Sequence, residues 1–543
     1  MSHAGQMAVV LHAHLPYIRH PERPQFYEES WLFEAIAETY VPLLRMMDAM
    51  WQDGVDFRLT MSVTPPLCEM LSDPLLCERF GARLTALERV SAREADKHAS
   101  SPYADATKMY VDELAETRRC LYDRWGGSLL AGLKSHQDRG RLEIITCGAT
   151  HGYLPLLATD EGRRAQVSIA CDNHERHFGR RPRGIWLPEC AYAPGLDQLL
   201  ADEGIRFFFL EKHGLLNATP SARFGTARPV LTPSGVSAFA RDPECSNQVW
   251  SAEAGYPGDG LYREFYRDLG YEAPEEELEG LLTGGGHRHP IGIKVHRITG
   301  KVKLDAKEPY VPAWARERAA EHAGNFLFNR QAQVRRLREV MDAEPIVVAP
   351  FDAELFGHWW FEGPRFLEYF FRKAACDQHD VKITTPWEFL EADPVLEVVQ
   401  PSTSSWGDKG YYEVWLNGQN AWIWPRLHRA EEEMIELVER FGAPTDEERR
   451  ALNQAGRELL LAQSSDWPFL LTTATAGDYP KTRTLAHLGR FEALRRGLLE
   501  GRIDVGLLDD SEWRDPLFPK LDYRAWARES VTRPGAGTAV TSA

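Results

Sequence analysis

Two carboxylates stand where apolar runs stop. In "RGIWLPECAY", residues 183–192, Glu189 follows Pro188; in "IVVAPFDAELFGHWWFEGP", residues 346–364, the chain passes Pro350 and presents Asp352, with Glu354, His358, Trp359 and Trp360 close behind. Proline cannot donate to a strand ladder, so each acid is delivered into the loop at the C-terminal end of a strand. A facing acid pair with aromatic walls is the minimum apparatus for glycoside chemistry. One carboxylate attacks or stabilises the oxocarbenium-like centre while the other protonates the departing oxygen. Mutual repulsion in a partly dry pocket keeps one of the two protonated near neutral pH. Trp360 is a candidate wall for a sugar ring, whereas Glu354 reads as a loop charge or a helix N-terminal partner.

His12 and His14 in "LHAHLPY" are two residues apart, so on a regular strand both point to one face. As metal ligands they require a carboxylate and a third imidazole, which His151 or His358 supplies. As neutral hydrogen-bonding groups they grip sugar hydroxyls beside the acids, and the plainest alternative is one core histidine and one exposed. The stretch "SSWGDKGYYEVWLNGQNAWIWP" sets Trp406, Trp415, Trp422 and Trp424 among Gly, Asn and Gln, and "SSDWPF" sets Asp466 beside Trp467. Sugars offer apolar CH faces ringed by hydroxyls, so indole platforms beside amides suit them. Trp422 and Trp424, which lead into helices, read instead as core, and a helix cap is the plain role for Asp466.

The elements that must position these residues are short apolar runs at 7–12, 57–63, 142–147, 184–189, 206–210, 291–295, 345–352 and 381–385, separated by helix-like stretches. Near-continuous apolar runs of this length are strands covered on both faces, which predicts a parallel α/β architecture and suits a closed barrel of about seven or eight strands. Residues 78–140, rich in charge, Ala and Leu, predict a helical insertion. The catalytic part is expected over 1–400 and a C-terminal helical domain over 401–530, where Ala430, Met434, Leu437 and Val438 share a face and Thr445 with Glu448 forms a capping box. The tail, 531–543, carries no core residues and is expected to be disordered.

Composition bounds the partners. A net charge of −17 repels nucleic-acid backbones and anionic membrane surfaces, so a neutral partner is expected. Eight scattered cysteines without a C-x-x-C pair fit reduced cytosolic thiols. With no leader-like N-terminus and no apolar run of spanning length, the reading is cytoplasmic.

Together "LHAHLPY", "EIITCGATHGYLPLL", "GIWLPECAY", "APFDAELFGHWWFEGP" and "SSWGDKGYYEVWLN", in that order, resemble glycoside hydrolase family 57 and, within it, the α-1,4-glucan branching enzymes. The resemblance covers nearly the whole chain and implies a distorted (β/α)7 barrel with a helical insertion and a C-terminal helical domain. It also implies a retaining double displacement in which Glu189 is the nucleophile and Asp352 the general acid/base, their carboxyls roughly 5 to 5.5 Å apart. His12, His14 and His151 then resemble residues around the cleaved sugar; Trp31, Arg263, Trp406, Trp415 and Asp466 resemble those lining the glucan groove, with Arg267 a rival to Arg263. No cofactor or metal is implied. Branching in this family is implied to use an aromatic-tipped loop, and between "PVLTPSG" and "QVWSAEAGYPGD" Phe239 is the nearby aromatic. Branching of an α-1,4-glucan such as amylose or glycogen is therefore the leading expectation. A family 57 amylase or 4-α-glucanotransferase is the near alternative, and a metal-dependent polysaccharide deacetylase or mannosidase-like enzyme the distant one.

Overall fold

The computed structural model describes residues 3–251, 255–283, 287–392 and 395–528. The tail beyond, including the segment expected to be disordered, lies outside the described residues. The chain divides into two compact units: residues 1–148 with 171–412, and residues 149–170 with 413–543.

The first unit is α/β. Strand β1 (Gly5–Ala13) is buried along its whole length and runs parallel between β2 (Leu59–Val63) and β8 (Ile346–Asp352); β3 (Leu142–Ile145) extends the sheet beyond β2, and β9 (Val381–Ile383) also pairs with the start of β1. A second sheet orders β4 (Gly184–Ile185), β5 (Phe207–Leu210), β7 (Ser237–Ala240) and β6 (Val230–Leu231), only the last pair antiparallel. An isolated parallel bridge, Thr146 to Ile185, continues from the end of β3 to β4. Helices Pro74–Lys97, Ala104–Arg118 and Leu129–Asp138 form the insertion expected between β2 and β3, the first capped by the Asp73 carboxylate and the last by the Ser128 hydroxyl.

Side chains alternate along a strand, and this places the site. Ala8 and Val10 of β1, Ile346 and Val348 of β8, and Phe207 and Phe209 of β5 face one apolar cluster with Trp186, Phe239 and Phe389. Continuing the same parity toward the C-terminal edge, β1 presents His12 and β8 presents Asp352, which are register partners.

One strand expectation is corrected. Residues 291–295, "IGIKV", form no strand: the Asp268 carboxylate accepts from the backbone N–H groups of Ile291 and Gly292, at 2.8 and 3.0 Å, and the Tyr110 hydroxyl accepts from that of Lys294 at 2.9 Å. Side chains thus satisfy the donors that a ladder would need. Two strands are missing from the sequence reading: the two-residue β6, and β7, whose "SAFA" is too short and small to stand out. Strand β7 carries Phe239, fully buried in the cluster above.

The second unit is helical. Helices Trp424–Arg440, Asp446–Ala462, Tyr479–Glu500 and Val505–Arg514 supply its frame, the Thr445–Glu448 capping box is formed, and Ala430, Met434, Leu437, Val438, Leu452, Ala455 and Leu459 are buried. A buried ion network inside it joins Glu458, His487 and Asp515 to Arg490. Among the described residues no helix is long and apolar enough to cross a membrane.

The turn after Asp352 is held by a close backbone approach. Gly357 has φ of +134°, and a Cβ there would lie 1.9 Å from the carbonyl oxygen of Glu38. Gly357→Ala is therefore expected to lower the thermal unfolding midpoint by roughly 5 °C or more. Gly489→Ala, in a helix with open space around it, leaves the midpoint unchanged or raises it. Differential scanning calorimetry of the two variants checks this; equal midpoints would show that the approach is not tight.

Candidate active site

Glu189 leaves β4 through the single turn Pro188–Cys190 with φ of 61° and ψ of 23°, the left-handed region that non-glycine residues seldom occupy. The unusual backbone is held from both sides: Trp406 donates its backbone N–H to the Glu189 carbonyl at 3.1 Å and its indole Nε1–H to the Glu189 carboxylate at 2.9 Å. Glu189 is 8 % exposed. A hydrogen bond to an anionic acceptor in such surroundings is stronger than one between neutral groups.

Asp352 ends β8 and is partly buried. Burial pushes its carboxyl well above the usual carboxylate range; the charges of Glu354 and Glu189 push the same way, and Arg241 opposes them. Arg241, immediately after β7, pairs with Glu211 at 2.6 Å and stands 5.9 Å from the Trp406 ring. The two acids therefore meet unlike surroundings: the Asp352 carboxyl is shifted toward its protonated form, and the Glu189 carboxyl accepts an indole N–H.

The histidines line the strand edge beside these acids. His12 is 2 % exposed and its ring stacks on Trp186 at 4.8 Å, with His14 at 5.6 Å on a near-parallel plane. Nδ1 of His12 is hydrogen-bonded to the Ser62 hydroxyl at 3.2 Å and Nδ1 of His14 to the Thr64 hydroxyl at 3.0 Å. The i, i+2 spacing at the end of β1 is thus matched at the end of β2, with His14 and Thr64 each one residue past its strand, and each hydroxyl orients one ring.

Other expected site residues fall in different places. Trp31 is half-buried, edge-on to Tyr27 at 6.5 Å and hydrogen-bonded to its hydroxyl. Trp360 is 1 % exposed and packed among Tyr262, Phe356 and Phe366, while its neighbour Trp359 is 45 % exposed. The Arg263 guanidinium is buried, donates to both oxygens of Glu38 at 2.8 and 2.9 Å and to the Tyr110 hydroxyl, and lies 4.1 Å from the Phe361 ring. That geometry ties Arg263 to the π-turn Ile36–Tyr40 through Glu38. Its rival Arg267 is bound to Glu272.

His151, Trp415 and Asp466 belong to the second unit. His151 has φ of 59° and its Nδ1 is hydrogen-bonded to the Ser465 hydroxyl at 2.8 Å. Trp415 is buried with Tyr153 at 4.9 Å, and Asp466 accepts from the Ser464 hydroxyl at 2.5 Å.

The sequence reading missed Arg241, whose signal was the strand end "SAFAR", and misjudged Glu354. Glu354 is neither a solvated charge nor a cap: it is buried, accepts from the Tyr40 hydroxyl at 2.5 Å and from the His14 backbone N–H at 3.1 Å.

A buried pair of strand-end carboxyls in unlike surroundings defines a carbohydrate-cleaving class of site. The comparisons with known proteins agree: the family model for glycosyl hydrolase family 57 matches residues 8–400, and that for the 1,4-α-glucan branching enzyme C-terminal domain matches residues 426–526. The chain belongs to glycoside hydrolase family 57. It is 37 % identical to the 1,4-α-glucan branching enzyme of Thermococcus kodakarensis, covering 95 % of this chain and 77 % of that one. Among solved structures it resembles the α-amylase AmyC of Thermotoga maritima, with 43 % identity, a TM-score of 0.90 and 97 % and 99 % of the chains covered. It also resembles the family 57 branching enzyme of Pyrococcus horikoshii, with 34 % identity, a TM-score of 0.87 and 97 % of each chain covered.

Trp406→Phe keeps an aromatic ring and removes the N–H that meets Glu189. Losing a hydrogen bond to a charged group costs about 1.5–3 kcal/mol, so kcat on an α-glucan is expected to fall roughly tenfold to a hundredfold with an unchanged circular dichroism spectrum. Steady-state kinetics on amylose check this, and a wild-type kcat would show that the contact does not matter to the reaction.

Proposed function

We propose that this chain is a 1,4-α-glucan branching enzyme, a retaining transglycosylase acting on glycogen-like glucan in the cytoplasm. The observation that carries the reading is the pair of carboxyls in unlike surroundings: Asp352 raised by burial and by its acidic neighbours, Glu189 engaged by the Trp406 indole. The family membership and the match to a branching-enzyme C-terminal domain support it.

The geometry suits the following steps. The Glu189 carboxylate attacks C1 of an α-1,4-linked glucosyl unit while Asp352 gives its proton to the departing O4, leaving a glycosyl-enzyme ester and a shortened chain. The Asp352 carboxylate then takes the proton of an acceptor 6-hydroxyl, whose oxygen attacks C1 and releases Glu189, forming an α-1,6 branch. His12, His14 and Trp406 are the proposed contacts of the first unit to the cleaved sugar, and Trp31 a groove contact. His151, Trp415 and Asp466 are proposed as glucan residues of the second unit on the resemblance of their motifs. Arg263 and Trp360 are proposed as further substrate-side residues, Arg263 on the resemblance of its motif.

A seven-stranded closed barrel is the proposed architecture of the catalytic part. Support comes from the Thr146–Ile185 bridge between the sheets and from the Asp242 backbone N–H, beyond β7, which donates to the Val348 carbonyl of β8 at 2.9 Å.

Water in place of the 6-hydroxyl gives hydrolysis, and the 43 % identity to an α-amylase structure favours that second reading. Incubation with amylose separates them: new α-1,6 linkages in excess of new reducing ends are expected, and reducing ends without branches would leave an amylase. Glu189→Gln and Asp352→Asn are each expected to lose more than about a thousandfold in either activity.

A further inference from the structure

Helix Glu29–Ala35 does not pass smoothly into helix Val41–Gln52. Between them residues Ile36–Tyr40 form a π-turn, in which one extra residue per turn re-aims a side chain. Tyr40 closes the π-turn, and its hydroxyl donates to the Glu354 carboxylate at 2.5 Å. The same Glu354 oxygen accepts the His14 backbone N–H at 3.1 Å. Glu354 thereby joins the π-turn, the end of β1 and the turn that follows Asp352. The π-turn meets that last turn twice more, through the Gly357 approach to the Glu38 carbonyl and through the His358 N–H, which donates to the Thr39 hydroxyl at 3.1 Å.

We infer that Tyr40 and Glu354 are a positioning pair for the acid/base: the strut fixes the Asp352 turn and keeps a second carboxylate facing Asp352, so that Asp352 holds its proton until the leaving oxygen takes it. This rests on the reading of Asp352 as the general acid/base.

The groups facing Asp352 are Glu354 from its own turn, Glu189 from the turn after β4, Arg241 from beyond β7, and Tyr40 from the π-turn; His12 is its register partner on β1. Cys190 and Glu211 stand near Arg241. Of the two acids, Glu354 raises Asp352 more than Glu189 does. Burial brings Glu354 itself to about 7, while the Tyr40 hydroxyl and His14 favour its ionised form. Near neutral pH Glu354 therefore carries a substantial share of a negative charge, and Tyr40 increases that share. Removing the charge, or the donor that supports it, lowers the proton affinity of Asp352.

The test is the pH dependence of kcat on amylose, counting all α-1,4 bonds broken. In Glu354→Gln the alkaline limb is expected to move about one unit toward lower pH, a loss of roughly tenfold near pH 8 with little change near pH 5.5. Tyr40→Phe, which loses only a hydroxyl and keeps its packing, is expected to shift the limb the same way by less. Glu354→Asp keeps the charge and is expected to return the limb toward wild type. A limb that stays in place in both Glu354→Gln and Tyr40→Phe, with rates lowered equally at every pH, would make the pair a structural brace only and overturn the inference. An Asp352→Asn variant as active as wild type would overturn the acid/base reading beneath it as well.

Discussion

The first unit turns on one electrostatic constraint: two carboxyls at strand C-terminal ends, one from each sheet, bias each other's ionisation in a largely buried setting. In water their mutual repulsion would be weak; in a site walled by Trp186, Trp406 and the apolar faces of β1 and β8 it is strong. The protein resolves it by unequal surroundings. Glu189 meets an indole N–H, whereas Asp352 faces two acidic groups, Glu354 and Glu189, and one cation, Arg241.

The parallel sheet makes that inequality possible. Because β1, β2 and β8 run the same way, their C-terminal edges coincide, and side-chain alternation carries one face from Ala8 and Val10 to His12 and from Ile346 and Val348 to Asp352. The apolar half of each strand anchors the polar end. The left-handed Glu189 is affordable only because Trp406 holds both its carbonyl and its carboxylate.

The strand-end placement of the two acids, and most of the strands, were legible in the sequence because apolar runs ending in proline and an acid are local signals. The same holds for the insertion helices and the capping box. "IGIKV" misled because its donors are satisfied by Asp268 and Tyr110, partners remote in the chain. Trp359 and Trp360 are adjacent and identical in type, so only packing tells the exposed ring from the buried one. Arg263 carried a charge suited to a groove, yet Glu38 claims it. Glu354 looked like any loop acid; its partners Tyr40 and His14 are more than 300 residues away in sequence, at separations of 314 and 340.

The central claim is that Glu189 is the attacking carboxylate. A 5-fluoro-α-glucosyl fluoride slows release of the glycosyl-enzyme more than its formation, so the adduct accumulates and can be mapped by peptide mass spectrometry. The account predicts one hexosyl adduct on the peptide containing Glu189, absent from Glu189→Gln. An adduct on Asp352 instead, or products of inverted anomeric configuration, would contradict it.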